Sequence, residues 1–282
     1  MSPRTTLSAA DVAALATDLE AAAREAGEIA RAYFRRGEKT TARIWNKAGG
    51  SPVTEADVSV DAFLKVRLSQ LLPAAGWLSE ETRDDPARLD RELVWIVDPI
   101  DGTRAFLNGN PDWSVAIALL VAGRPTLGVV HAPAHEGYYD ARAGGGARLN
   151  GAPIGVSARA ALADARVTGP KPMMETLAAG AGRFSEMPKI PSLALRIARV
   201  AAGEVDVALV TANARDWDLA AADLVLAEAG GALSDLAGDA CVYNRPEPVH
   251  GALLAASRAL HPRLVEAMTT GESDARRLAR AT

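Results

Sequence analysis

Apolar residues in the first quarter of the chain repeat at helical spacing in two segments. In each segment a hydroxyl residue precedes an aspartate by three positions, as Ser8 precedes Asp11 and Thr54 precedes Asp57, which is typical of a helix start. The apolar positions are Val12, Leu15, Leu19, Ala22, Ala26, Ile29 and Tyr33 in the first segment and Val60, Leu64, Leu68 and Leu71 in the second. The spacing predicts two amphipathic helices, the second ending before Pro73.

Short apolar runs predict strands in the following part of the chain. They cover residues 77–79, 93–97, 114–121, 125–131, 137–141 and 154–157. The runs 114–121 and 125–131 are joined through Ala122-Gly123-Arg124, which predicts a hairpin. Asn150-Gly151 is a second hairpin signal. Residues 144–146 are three glycines and predict a flexible turn, and the segment 49–52, Gly-Gly-Ser-Pro, predicts a turn. We expect the 93–97 strand to stop before Pro99, which has no N–H for the ladder.

The pattern changes near residue 158 to an alternation of strands and helices. Strands are predicted over 165–168, 205–210, 232–236 and 253–256, and helices over 173–179, 192–202, 217–229 and 261–268. We therefore expect an α+β domain in residues 1–157 and an α/β domain in residues 158–282. The fold class expected for the whole chain is α/β (α+β), with layers of helices and sheets.

The composition excludes several classes of protein. The chain has 282 residues, a hydrophobic fraction of 49% and a net charge of −4, so no excess of basic residues indicates binding to a nucleic-acid polymer. No apolar run reaches the ~18 residues of a membrane span. Cys241 is the single cysteine, which excludes an internal disulfide, and residues 1–11 lack a signal pattern. We expect a cytoplasmic protein with no membrane or nucleic-acid partner.

Candidate chemistry is concentrated in the segment 95–103, Trp-Ile-Val-Asp-Pro-Ile-Asp-Gly-Thr. Asp98 and Asp101 lie where the chain leaves the sheet, Gly102 permits a tight turn, and Thr103 can open a helix whose free N–H groups attract an anion. This combination suits a cation and a phosphate held side by side. A turn in which one aspartate only caps the helix explains the segment equally well.

Three motifs together resemble those of the inositol monophosphatase superfamily. They are Glu80-Glu81, then Asp98-Pro99-Ile100-Asp101-Gly102-Thr103, then Trp217-Asp218 with Glu228-Ala229-Gly230-Gly231, in order between about residue 10 and residue 268. The resemblance implies a magnesium-dependent, lithium-sensitive phosphomonoesterase. It also implies the alternating α-β-α-β-α sandwich of inositol monophosphatases and fructose-bisphosphatases and two or three Mg²⁺ ions. A homodimer is one oligomeric state that it allows.

The resemblance also implies the roles of individual residues. The implied metal ligands are Glu80, Asp98, the carbonyl of Ile100, Asp101 and Asp218. The implied catalytic residues are Asp57, Thr103 and Glu80, with Thr103 orienting the attacking water and Asp57 taking or sharing its proton. The implied substrate contacts are Lys47, Gly102, Thr103, Arg104 and Thr211. A protein that kept the fold and lost the chemistry would not need these converging acids.

Two departures from the pattern of inositol monophosphatases bear on the substrate class. Inositol monophosphatases carry an acid seven positions before the late aspartate, where this chain has Thr211, and the segment 190–193 reads Ile-Pro-Ser-Leu. The resemblance therefore favours a 3′(2′),5′-bisphosphate nucleotidase that acts on 3′-phosphoadenosine 5′-phosphate. The alternatives are inositol-1-monophosphatase and, further off, histidinol-phosphatase or fructose-1,6-bisphosphatase. In every case the partner is a small phosphomonoester.

Overall fold

A computed structural model of the chain describes residues 7–47 and 50–281, with side chains as far as residue 271. The helices are α1 (Ala9–Tyr33), α2 (Glu55–Leu71), α3 (Thr103–Leu107), α4 (Lys171–Ala181), α5 (Leu193–Ala201), α6 (Asp216–Glu228) and α7 (His261–Ala281). The strands are β1 (Ile44–Asn46), β2 (Pro52–Thr54), β3 (Gly76–Ser79), β4 (Leu93–Asp101), β5 (Ser114–Val121), β6 (Arg124–Ala132), β7 (Gly137–Arg142), β8 (Gly146–Leu149), β9 (Ala152–Pro153), β10 (Arg166–Thr168), β11 (Ser185–Glu186), β12 (Val207–Val210), β13 (Gly231–Asp235) and β14 (Leu253–Ser257).

Twelve of the strands form two sheets. One has seven strands in the order β3-β4-β5-β6-β7-β8-β9, and the other has five in the order β11-β10-β12-β14-β13. In the seven-stranded sheet only β3 and β4 are parallel, and its other neighbours are antiparallel. β1 and β2 form a separate antiparallel ladder. The predicted domain boundary at 157/158 falls between the two sheets, and the division into two domains stays a prediction.

Side chains on opposite faces of β4 join different apolar clusters. Leu93, Trp95 and Val97 pack with α1 and α2, whereas Val94 and Ile96 pack with α5 and α6. This alternation is the period of two expected for a strand buried on both faces. The seven-stranded sheet therefore lies between two layers of helices.

The five-stranded sheet repeats the arrangement. Ala208 and Val210 of β12 face the α5 and α6 layer, and Val207 and Leu209 belong to the cluster formed with α4 and α7. The order of layers is α1/α2, seven-stranded sheet, α5/α6, five-stranded sheet, α4/α7. The α-β-α-β-α sandwich expected from the sequence is confirmed.

The local predictions on helix starts and hairpins are also confirmed. Asp11 accepts from the backbone N–H of Ser8, and Asp57 accepts from that of Thr54, so each helix begins with a reciprocal capping box. The two-residue hairpin turns at Ala122-Gly123 and Asn150-Gly151 have positive φ at every position. None of the helices in the described ranges is long and apolar enough to cross a membrane.

The strand that carries the central motif is longer than predicted. β4 continues through Pro99 to Asp101, so the expectation that it stops at Val97 is wrong. Asp98 pairs with Ala116 and Asp101 with Ser114, and the register shifts between these pairs. The shift places two residues opposite one and removes Pro99 from the ladder, so that its missing N–H costs no hydrogen bond.

Three further expectations need correction. Residues 154–157 are not a strand, and Gly146–Leu149 forms one instead, paired with β7. The glycine turn at 144–146 is held in place, because the Glu228 carboxylate accepts hydrogen bonds from the N–H groups of Gly144 and Gly146, both at 2.8 Å. The last helix extends to Ala281, beyond the predicted 268. Residue 49 of the turn predicted at 49–52 lies outside the described residues.

Candidate active site

Three aspartates that are distant in sequence meet at one end of β4. Asp98 and Asp101 come from the bulged end of that strand, and Asp218 comes from the first turn of α6. One carboxylate oxygen from each lies within 4.8 Å of the others. Asp98 and Asp101 are buried and Asp218 is half-buried. The arrangement concentrates negative charge where water cannot screen it.

The pKa values of these carboxyls reflect that crowding. Burial, followed by the charges of Glu80, Asp101 and Asp218, holds the pKa of Asp98 well above its ordinary value. Burial, followed by the charge of Asp101, does the same for the pKa of Asp218. The metal-free cluster is therefore electrostatically unfavourable in its ionised form.

Asp101 is held by the start of α5. Burial raises its pKa to about 6, and hydrogen bonds from Ser192 and from backbone N–H groups oppose that rise. Its Oδ2 accepts from the Ser192 hydroxyl at 2.6 Å and from the Ala194 N–H at 2.7 Å. The contact fixes the last residue of β4 against α5, which belongs to the next layer of the sandwich.

The donor set fits a hard divalent cation. Within the described residues, no lysine or arginine forms a direct ion pair with Asp98, Asp101 or Asp218, and only the more distant charges of Arg196 and Arg215 favour the ionised forms of Asp101 and Asp218. Carboxylate oxygens in this number are the ligands that Mg²⁺ prefers. A bound cation would convert the repulsion among the three acids into attraction.

Glu80 approaches the cluster from the end of β3. Its backbone N–H donates to the Val97 carbonyl at 3.3 Å, which places the residue beside β4. Lys47 forms ion pairs with both Glu80 and Glu81, each at 2.8 Å. Burial raises the pKa of Glu81 to about 7. Lys47, expected as a substrate contact, is thus engaged with two acids in this structure.

Asp57 and Thr103 are brought together by the start of α2. Asp57 is fully buried, and its Oδ2 accepts from the N–H of Thr54 at 2.8 Å and from the hydroxyl of Thr54 at 2.5 Å. Its other oxygen, Oδ1, lies 3.3 Å from Oγ1 of Thr103, which is also 3.1 Å from the carbonyl oxygen of Ile100. Burial is the main cause of the rise in the pKa of Asp57 to about 6.

Gly102 forms the corner between β4 and α3. Its φ is 90°, in the left-handed region that favours glycine. A Cβ at this position would lie 3.0 Å from the Asp112 carbonyl oxygen and 3.2 Å from the Ser192 nitrogen. Both the conformation and the space therefore require glycine, and the corner brings Thr103 back toward Asp57.

A cleft of about 430 Å³ opens beside this corner. The described residues that line it are Ser51, Pro52, Glu80, Gly102, Thr103, Arg104, Lys189, Pro191 and Arg196. Three of them are cations and one is an acid. Arg104 and Lys189 are exposed, whereas Arg196 is buried. The cleft is thus lined by Glu80 and Thr103 together with a basic wall formed by Arg104, Lys189 and Arg196.

Arg196 was not expected from the sequence. Its guanidinium donates to the carbonyl of Ile190 at 2.6 and 2.9 Å and to that of Leu209 at 3.1 Å. Burial lowers its pKa. An arginine within an amphipathic helix usually lies on the solvent face, so the pattern held no signal for this position, nor for the contact between Ser192 and Asp101.

Thr211 lies apart from the other predicted site residues, which the structure brings together. It follows β12, its side chain is exposed, and it is not among the described residues that line the cleft. The other expected residues, from Lys47 and Asp57 to Asp218, meet around the cluster or the cleft. The roles of all of them stay proposals.

Comparison with known proteins agrees with this architecture. The family model described as "Inositol monophosphatase family" matches residues 11–272. A histidinol-phosphatase of Chlorobaculum parvum is 32% identical over 262 residues, covering 89% of this chain and 95% of that protein. A protein named 3′(2′),5′-bisphosphate nucleotidase CysQ, from Aggregatibacter actinomycetemcomitans, is 32% identical over 244 residues, covering 83% and 88%.

Among solved structures, the extragenic suppressor protein suhB of Bartonella henselae is similar to this chain with a TM-score of 0.80 and 29% sequence identity, over 90% of this chain and 98% of that one. The family model matches nearly the whole chain, the fold agrees with that of the solved structure, and the acids converge as the motifs predict. These three observations lead to one conclusion. The chain belongs to the inositol monophosphatase family, and it is a magnesium-dependent phosphatase.

Proposed function

We propose that this phosphatase is a 3′(2′),5′-bisphosphate nucleotidase that hydrolyses 3′-phosphoadenosine 5′-phosphate. The observation that carries the proposal is the basic wall of the cleft, formed by Arg104, Lys189 and Arg196, in the same cleft that Glu80 and Thr103 line. The phosphate to be cleaved would lie at the acids and their metal ions. A substrate with a second phosphate gives the basic wall an anion to bind, and a neutral polyol does not.

Two of the three cations are available for that contact. Lys189 and Arg104 are exposed, whereas the guanidinium of Arg196 already donates to the carbonyls of Ile190 and Leu209. Arg196 would act mainly by its charge and by holding the segment before α5. Lys189 and Arg104 would donate directly to phosphate oxygens.

Thr211 bears on the same choice through the family resemblance alone, because it is not among the described residues that line the cleft. The resemblance gives inositol monophosphatases an acid at this position, and a threonine offers no carboxylate there to ring hydroxyls. The names of the relatives do not separate the substrates, because a histidinol-phosphatase and a bisphosphate nucleotidase are both 32% identical to this chain. Inositol-1-monophosphatase is the second candidate, since inositol monophosphatases occur among the relatives at comparable identity.

The proposed metal ligands are Glu80, Asp98, the carbonyl oxygen of Ile100, Asp101 and Asp218, holding two or three Mg²⁺ ions. When bound, Mg²⁺ neutralises the phosphoryl oxygens, lowers the pKa of a water and stabilises the leaving oxygen. The buried position of Asp98 and Asp101 keeps bulk water from screening this charge.

Thr103 and Asp57 orient and deprotonate the attacking water in this proposal. The Thr103 hydroxyl orients a water for attack on phosphorus, and Asp57 accepts the proton that the water loses. A new P–O bond forms as the ester P–O bond breaks, and the leaving oxygen takes a proton from solvent and departs as the 3′-hydroxyl of adenosine 5′-phosphate. Thr54 holds Asp57 in place through two hydrogen bonds to Oδ2, leaving Oδ1 directed at Thr103.

The experiment measures phosphate release from 3′-phosphoadenosine 5′-phosphate, inositol 1-phosphate and histidinol phosphate at equal Mg²⁺, with and without Li⁺. We expect the highest kcat/KM for the bisphosphate. Lys189→Ala should lower that value about tenfold, because a charge-assisted hydrogen bond to phosphate is lost, and should leave inositol 1-phosphate turnover within about twofold.

Lys171→Ala is the matched control, because Lys171 is an exposed lysine on α4 that does not line the cleft. It should leave all three rates unchanged. A wild-type preference for inositol 1-phosphate of about tenfold or more would overturn the nucleotidase proposal and leave the metal-site proposal standing.

A further inference from the structure

Asp61 is a buried acid near the site that the proposed mechanism does not use. It lies on α2, one turn after Asp57, and is 7% exposed. Its Oδ1 accepts from the Ser79 hydroxyl at 2.5 Å, and its Oδ2 accepts from the Thr82 hydroxyl at 2.6 Å. Both carboxylate oxygens are thus occupied by short hydrogen bonds to one segment.

The two hydroxyls lie on either side of Glu80 and Glu81. Ser79 is the last residue of β3, and Thr82 comes directly after the two glutamates. The Ser79 oxygen also accepts from the N–H of Glu81 at 3.4 Å. Asp61 therefore fixes both ends of the four-residue turn that carries the proposed metal ligand Glu80.

This turn needs external support. β3 is the edge strand of the seven-stranded sheet, so its end has a neighbouring strand on one side only. The charges of Asp57 and Asp98 repel Glu80, whose carboxylate also forms an ion pair with Lys47 at 2.8 Å. Without a tether, the repulsion would move Glu80 away from the aspartates.

We propose that Asp61 is a positioning residue that holds the Glu80–Glu81 turn against the acidic cluster and thereby sets the affinity of the site for divalent cations. Helix α2 would then place one acid of the site directly, through Asp57, and a second one indirectly, through Asp61. The proposal rests on the proposed role of Glu80 as a metal ligand. Loss of an outer-shell partner of a metal ligand typically weakens metal binding by about 10–100-fold.

The test is calorimetric titration of the metal-free protein with Mg²⁺ alone, so that its outcome does not depend on the substrate. We expect Asp61→Ala to raise the apparent Kd about tenfold or more, and Asp61→Asn to stay within about threefold of wild type. An asparagine can still accept from one hydroxyl and donate to the other, and it lacks only the charge. Equal weakening by both variants would overturn a positioning role in favour of a direct charge effect.

Ser79→Ala tests the tether without changing Asp61. Its matched control is Ser234→Ala, because Ser234 is another buried serine whose hydroxyl contacts a helix side chain, in that case His261 at 2.9 Å. Both variants should lose thermal stability, and only Ser79→Ala should weaken Mg²⁺ binding. If Asp61→Ala does not fold, the Ser79→Ala/Thr82→Val double variant decides in the same assay.

Glu80→Gln serves as the benchmark for this titration. If it leaves Mg²⁺ affinity unchanged, Glu80 is not a ligand and the positioning proposal falls with that role. If it weakens binding while Asp61→Ala lowers only the melting temperature, Asp61 is merely structural and the ligand role survives. Saturating Mg²⁺ should restore most of the kcat of Asp61→Ala, because the machinery itself is intact.

Discussion

The hydroxyl of Thr103 lies between Asp57 and Ile100, with its oxygen 3.3 Å from Oδ1 of the aspartate and 3.1 Å from the carbonyl oxygen of the isoleucine. A hydroxyl has one proton and two lone pairs, so it can donate to only one of these acceptors at a time. Its lone pairs remain available to a water. The contact joins the first turn of α2 to the start of α3 through two residues that are 46 positions apart in sequence.

Thr103→Ala should lower kcat by about 10²–10⁴-fold with little change in KM, because orientation of the attacking water matters mainly in the transition state. The substitution should not disturb α3, since Gly102 and not Thr103 occupies the cap position. Steady-state kinetics at saturating Mg²⁺ measures both constants. Thr103→Ser is the control and should keep most of the activity; a raised KM with kcat unchanged would instead make Thr103 a substrate-binding residue.

Asp98→Asn should abolish turnover and stabilise the metal-free protein. The amide keeps an oxygen for the N–H of Ile100, which Asp98 binds at 3.0 Å, and removes a charge that faces Glu80, Asp101 and Asp218. We expect the melting temperature in EDTA to rise by a few degrees. A folded Asp98→Asn protein with near-normal kcat would contradict the proposed metal site.

The stability of the metal-free protein should depend on the ionisation of Asp57. Its pKa is raised to about 6 in the folded state, against 3.8 for an unperturbed aspartate. The unfolded chain therefore loses this proton first, and stability falls as the pH rises from about 4 to about 6. Above that range the loss of unfolding free energy is complete, on the order of 3 kcal/mol.

Asp57→Asn isolates this contribution from other titrating groups, such as His131 and His261, whose pKa values are lowered by burial. Relative to wild type, the variant should gain more stability at pH 8 than at pH 4.5. Urea unfolding in EDTA at the two pH values gives the difference. A gain that is the same at both would show that the Asp57 carboxyl is not perturbed as described.

Mg²⁺ should raise the melting temperature in proportion to the logarithm of its concentration. A ligand that binds only the folded state contributes about 2.7 kcal/mol at one hundred times its Kd. Asp218→Asn should reduce the shift, and Asp18→Asn, which changes an exposed aspartate of α1, should not. Ca²⁺ should also stabilise the protein without supporting turnover, because it does not impose the tight octahedral geometry of Mg²⁺. A melting curve that millimolar Mg²⁺ leaves unmoved would contradict a preformed site.

Much of the local structure could be predicted, because its causes lie within a few residues. The capping boxes need only a hydroxyl and a carboxylate three positions apart, and the hairpins need only residues that tolerate positive φ. The gathering of Asp98, Asp101 and Asp218 was expected from the family resemblance rather than from spacing. The bulge that carries β4 past Pro99 was not expected, since it depends on pairing with β5.

The polar segment 86–92 shows where local patterns fail. Its composition is typical of a surface connection, yet Arg88 is buried, with its guanidinium donating to Asp84 at 2.6 Å and to the Asn244 side chain at 2.7 Å. Asn244 is 156 residues away, so nothing near Arg88 in the sequence signals a partner. A charged residue is assigned to the surface by default because burial is costly unless it is paired.

The sequence by itself determined which residues start the helices, where the hairpins turn, the alternation that buries each sheet between helices, and, through its three motifs, the family. Those properties follow from backbone sterics and from contacts within one or two turns of chain. Only the tertiary structure decided that Lys47 pairs with Glu80 and Glu81, that Asp61 tethers their turn, and that Arg196 lines the cleft. Each of these depends on side chains that meet only when separate layers pack, because desolvated polar groups must then find partners wherever the fold supplies them.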